Sequence, residues 1–137
     1  MDMVDEAIYF FRANVLFSSF EFKGPADRAH VYLTVFVQQC LVKACADPTK
    51  TRAEIESILA ILGAANPPVP GEAGFLLPGA YFAAPPATER ERLRQYLKQL
   101  RQTTIARFTP IIFAADGKVS KWWRQFSKKK FMGISTA

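Results

Sequence analysis

Few residues in this 137-residue chain are of a type that makes or breaks bonds. His30 is the only histidine, and its surroundings, DRAHVYL, supply no partnered nucleophile, so it reads as structural. Cys40 and Cys45 are the only cysteines. Five residues apart on one helix, they face about 140° away from each other. That separation is too wide for a disulfide. Metal ligation would need further ligands, so both read as small buried thiols. Glu54 and Glu56 are two residues apart, face different ways on a helix and make no acid–base pair. The segment PGEAGF lacks the lysine and the following helix of a phosphate-binding loop. The sequence therefore yields no catalytic, cofactor-binding or metal-ligating residues, and it does not read as an enzyme.

Non-covalent chemistry is better represented. Residues 120 to 132 read SKWWRQFSKKKFM, with two tryptophans, two phenylalanines and five of the chain's 18 Lys/Arg. Wide rings beside cations are the composition of a contact surface. Residues 1–87 hold 6 Lys/Arg against 9 Asp/Glu, whereas residues 88–137 hold 12 against 3, so the two parts carry −3 and +9. A part that basic suits an acidic partner. An acidic protein surface, nucleic acid and anionic lipid all qualify. Lys128, Lys129 and Lys130 with nearby aromatics can clamp phosphates, and Trp and Phe among cations suit a membrane interface. Against nucleic acid, there is no helix-turn-helix spacing, zinc-ligand set or RNP-like motif. The candidate protein-contact residues are Arg90, Arg94, Lys98 and Arg101 on one helix, then Lys121, Arg124, Lys128, Lys129, Lys130 and Phe131. Ser120, Trp122, Trp123 and Phe126 are candidate structural residues. Ser120 can cap a last helix, and two adjacent tryptophans lie about 100° apart, so one can be buried while the other borders a surface.

These groups need elements to hold them. Val4, Ile8, Phe11 and Val15 recur at helical spacing, which predicts a first helix from Asp2 to about Phe17, with acids in its first turn. Lys23-Gly24-Pro25 is a break, and Pro25 suits the first turn of a second helix. From Ala26 to about Ala46 that helix is apolar nearly all round, so it must be surrounded by protein and belongs at the centre of the fold. Its length argues against a strand. Thr51 to Leu62 predicts a short amphipathic third helix, with Gly63 as its stop. The stretch NPPVPGEAGFLLPGAYFAAPP cannot be regular helix or central strand. It is too apolar for a loose linker and reads as a long ordered arm. Thr88 is the expected cap of a fourth helix, with Leu93, Leu97, Leu100, Thr104 and Phe108 on one face and the basic stripe on another. Pro110 should end or kink it, and Asp116-Gly117 signals a turn.

One domain's worth of chain, half of it apolar, can bury a core. No run reaches the roughly 18 apolar residues of a membrane span. The acidic start, MDMVDEA, is unlike a secretory signal. The expected location is the cytosol.

Four blocks also carry a resemblance. DEAIYFFRANVLFSSFEFKGPADRAHVYLTVFVQQCLVK, PVPGEAGFLLPGAYF, YLKQLRQ and SKWWRQFSKKKFM together resemble the family of subunit 3 of the actin-related protein 2/3 complex, its 21 kDa subunit. The blocks follow the family's order and nearly its spacing, over most of the chain. The resemblance implies an all-α fold: a compact bundle of about five helices, one surrounded by the others, plus the Pro/Gly-rich arm. It implies a non-enzymatic structural subunit of a seven-subunit assembly that nucleates actin branches on existing filaments. Its implied partners are actin-related protein 3, the other subunits and the actin filament, in the cytoplasmic actin cytoskeleton, with no nucleic acid. Because actin is acidic, a basic face agrees with this. The family also implies an extended arm ahead of the first helix, which residues 1–137 do not include. The alternative is a basic helical module that binds nucleic acid or anionic lipid.

Overall fold

The computed structural model describes residues 3–9, 25–75 and 84–127. Its elements are α1 (Met3–Tyr9), α2 (Pro25–Cys45), α3 (Arg52–Ala64), α4 (Ala87–Phe108), a 3-10 turn (Thr109–Ile111) and the single-turn α5 (Lys121–Arg124). The described residues are helical apart from loops and one isolated antiparallel bridge, Phe113 to Val119. The expected extension of the first helix to Phe17 lies outside the described residues.

Helix α2 is the centre of the packing and touches α1, α3, α4 and α5. Every residue from Val31 to Gln38 is buried. This is what its all-round apolar sequence requires, because a helix with no polar face cannot meet water on any side. Thr34 fits there because its hydroxyl donates to the His30 carbonyl at 3.0 Å. Helix α1 buries Val4, Ala7 and Ile8, and Asp5 pairs with Arg107 of α4 at 3.2 Å.

Thr51 begins α3 through a capping box, in which its hydroxyl accepts from Glu54 N–H and the Glu54 carboxylate accepts from Thr51 N–H. Two expectations about helix ends are corrected. Gly63 is no stop: α3 runs on to Ala64 with Gly63 buried inside it. A Cβ at Gly63 would stand 2.7 Å from Ile105 Cδ1, so the glycine is there to let α3 and α4 approach. Thr88 is no cap either. The cap position is Pro86, whose carbonyl accepts from Glu89 N–H at 2.9 Å, and Thr88 lies inside α4. Pro is preorganised for a helix start and supplies the carbonyl without a side-chain acceptor.

Pro110 falls in the 3-10 turn that ends α4, as a residue without N–H must. The chain then reverses at Asp116-Gly117, where Gly117 takes φ +80°, a left-handed conformation that favours glycine. Of the Pro/Gly-rich stretch, residues 66–75 and 84–86 are described. Val69 there is fully buried, and the Phe75 ring stacks on Tyr32 of α2 at 5.8 Å. Residues 76–83 of the expected arm lie outside the described residues. No helix among the described residues is long and apolar enough to cross a membrane.

Candidate protein-interaction surface

The C-terminal motif is built onto the core by its aromatic half. The Ser120 hydroxyl accepts from Trp123 N–H at 3.3 Å and starts α5. Trp123 is buried and meets Phe108 edge-on at 5.4 Å. Phe126 is buried too. Trp122 keeps 43% of its surface exposed and leans edge-on against Trp123 and Phe126. The pair is thus divided between core and surface by the rotation between adjacent helical residues. A residue unmarked in the sequence completes the anchor: Gln38 of α2 donates through Nε2 to the carbonyls of Phe126 at 2.9 Å and Ser127 at 3.1 Å. Those carbonyls lie just past the one-turn helix, and the Gln38 amide satisfies them from the central helix.

The basic stripe of α4 does not form one surface. Arg90 is exposed. Arg94 grips Glu72 in a fork, Nη1 and Nη2 each 2.8 Å from a carboxylate oxygen, and also donates to the Pro67 carbonyl at 2.9 Å and to Glu91 at 3.0 Å. The Arg94 hydrogen bonds, joined by the Val69 N–H, hold the Glu72 carboxyl down to about 2. Lys98 reaches Asn66 Oδ1 at 3.4 Å. Arg94 and Lys98 therefore tie the 66–72 loop to α4. Arg101 is buried, with Nε 2.8 Å from the Tyr32 hydroxyl and its guanidinium 4.8 Å from the Phe36 ring centre. The reason is helical phase: Arg101 follows Leu97 by four residues and precedes Phe108 by seven, so it shares their azimuth.

Lys121 is exposed and Arg124 half-buried, with Arg124 Nη2 3.4 Å from the Val119 carbonyl. Lys128, Lys129, Lys130 and Phe131 lie outside the described residues. Of the α4 and α5 candidates, Arg90 and Lys121 are the exposed cations. The sequence reading missed Gln38, Glu72 and Arg52, which lies 4.7 Å over the Phe113 ring. Glu72 had one signal, as the single carboxylate of the proline-rich stretch.

Bond-making chemistry has no assembled site among the described residues. No group of three or more potential metal ligands occurs there. Both cysteines are free, and burial pushes the Cys40 thiol far above its ordinary range. His30 is half-buried near the start of α2.

The comparison with known families decides what kind of scaffold this is. The P21-Arc model, described as the ARP2/3 complex ARPC3 (21 kDa) subunit, matches residues 1–136. The chain belongs to the P21-Arc family. Relatives called actin-related protein 2/3 complex subunit 3 are similar along nearly all of it. The one from Arabidopsis thaliana is 41% identical over 133 residues, covering 97% of this chain and 75% of the relative. The one from Schizosaccharomyces pombe is 42% identical over 135 residues, covering 96% and 75%. The Dictyostelium discoideum relative is 36% identical over 133 residues, covering 96% and 75%. P21-Arc proteins are structural complex subunits and not enzymes.

Proposed function

We propose that this chain is a structural subunit of the ARP2/3 complex and supports nucleation of branched actin filaments. The family match over residues 1–136 carries the reading. In it the chain packs on actin-related protein 3, adjoins the other subunits and helps contact the mother filament, within the cytoplasmic actin cytoskeleton. The complete domain is a bundle of about five helices around α2, with the Pro/Gly-rich stretch as an ordered arm. Arg90, Lys121 and Arg124 are its candidate contacts to acidic partners, together with Lys128, Lys129, Lys130 and Phe131. What supports them is the charge of the C-terminal part and the exposure of Arg90 and Lys121. Arg94, Lys98 and Arg101 have intramolecular partners and act first in building the surface.

Reconstitution tests the proposal. Tagged protein, co-expressed with the remaining subunits, should co-purify with the actin-related proteins and restore branch formation to a complex lacking its third subunit. Recovery of none of the subunits would refute the assignment. Tight, salt-sensitive binding of the isolated chain to RNA or phosphoinositide vesicles instead would favour a nucleic-acid or lipid module.

A further inference from the structure

Among the described residues, Arg101 is the one buried side chain that must carry a full charge. A guanidinium does not deprotonate in proteins, so folding leaves a cation 4% exposed in the seam between α2 and α4. Its surroundings are only partly suited to it. Nε donates to the Tyr32 hydroxyl, and the ring faces of Phe36 and Tyr32 lie 4.8 and 5.8 Å from the guanidinium carbon. The hydroxyl supplies no counter-charge, since burial raises the Tyr32 pKa above its ordinary value despite the neighbouring cation. None of the ion pairs among the described residues involves Arg101. Nη1 and Nη2 have no acceptor there, yet they are not among the sealed polar atoms. The outer, two-pronged edge of the guanidinium is therefore not fully sealed, although the residue is 4% exposed. Arg94, two turns earlier, shows the contrast, because its fork is filled by Glu72.

We propose that Arg101 is a recessed socket for a carboxylate of a partner polypeptide, which seats end-on against Nη1 and Nη2 when the chain assembles. The proposal rests on the subunit reading above and names the chemistry of one contact within it. A planar carboxylate matches the guanidinium fork with two parallel hydrogen bonds. The aromatic faces fix the plane of the fork in advance, so little side-chain freedom is lost on binding. The socket also gives the buried charge a counterion that no ion pair among the described residues supplies.

The test co-expresses wild-type, Arg101→Lys and Arg101→Met chains with the remaining subunits of the complex. Arg101→Met keeps the apolar stem, and its fold is checked by far-UV circular dichroism. Incorporation of Arg101→Met should fall by at least about tenfold, with Arg101→Lys between it and wild type. Folded Arg101→Met that incorporates as well as wild type would overturn the socket and leave the subunit reading intact. Wild-type chain that fails to incorporate refutes both. Should Arg101→Met not fold, wild type and Arg101→Lys decide by thermal melting at equal ionic strength. Acetate should raise the midpoint relative to chloride by more for wild type than for Arg101→Lys, a comparison that cancels the general effect of the salt. Equal acetate shifts in the two chains would overturn the carboxylate assignment.

Discussion

Replacing Gln38 by Met isolates the link between the central helix and the C-terminal motif. Methionine keeps the length and flexibility of the side chain but cannot donate to the carbonyls of Phe126 and Ser127. The Phe126 bond is buried and the Ser127 bond partly so. Losing a neutral hydrogen bond costs about 0.5–1.5 kcal/mol, and about 1–3 kcal/mol when the partner is left dry and unsatisfied. Two such bonds, less the relief of removing the buried Gln38 Oε1, give a net cost of about 2 kcal/mol. At this chain length that corresponds to a melting midpoint lower by roughly 7 °C. Urea denaturation supplies the free energy, and tryptophan fluorescence reports whether Trp123 loosens with it. Gln39→Met is the control, since the buried Oε1 of Gln39 has no hydrogen-bond partner. Removing that orphaned acceptor should be neutral or slightly stabilising. The reasoning fails if Gln38→Met unfolds at the wild-type urea concentration, or if Gln39→Met is as destabilising as Gln38→Met.

Three other outcomes follow from the packing. Glu72 has a folded pKa of about 2 against 4.5 for the ordinary carboxyl. Its contribution to stability is therefore full above about pH 4.5 and disappears as pH falls through about 2. Urea midpoints of wild type and Glu72→Gln should differ by a constant amount above pH 5.5 and converge in acid; divergence in acid would contradict the ion pair. Gly63→Ala should be nearly neutral, because its push on the terminal Cδ1 of Ile105, which a small side-chain rotation relieves, is offset by about 1 kcal/mol of helix propensity, whereas Gly63→Leu should cost about 2 kcal/mol by overpacking. A thiol reagent should leave Cys40 unmodified in the native chain and reach half-buried Cys45 slowly, with both reacting in urea as read by mass spectrometry.

What could be read in advance depended on how local the physics was. The place of α2 followed from its composition alone, because apolar residues on every side leave a helix only one environment. The Ser120 cap, the end of α4 before Pro110 and the turn at Gly117 are each decided within a few residues, and all were legible. Gly63 was not. Glycine after a helical pattern is a stop signal, and only the approach of Ile105, 42 positions later, makes it an interior residue. The intramolecular partners of the basic stripe were hidden for a similar reason. A cation every three or four residues looks the same whether it faces water or a partner. Glu72 lies 22 positions from Arg94, and Tyr32 lies 69 from Arg101. Gln38 was the hardest to foresee, since a lone amide in an apolar helix gives no hint of two carbonyls 88 and 89 positions away.

That last separation has a consequence for how the protein is made. The central helix leaves the ribosome early, while the segment that Gln38 fastens is synthesised 88 residues later. At about 5–20 residues per second, roughly 4–18 s pass before Phe126 is added. Throughout that interval, surface from Val31 to Leu41 that ends fully buried lacks part of its cover. A nascent chain in this state is a client for a holding chaperone and a candidate for aggregation when translation stalls. Ribosome pausing between α4 and the tryptophan pair should therefore lower the yield of soluble protein without altering the stability of molecules that complete the fold.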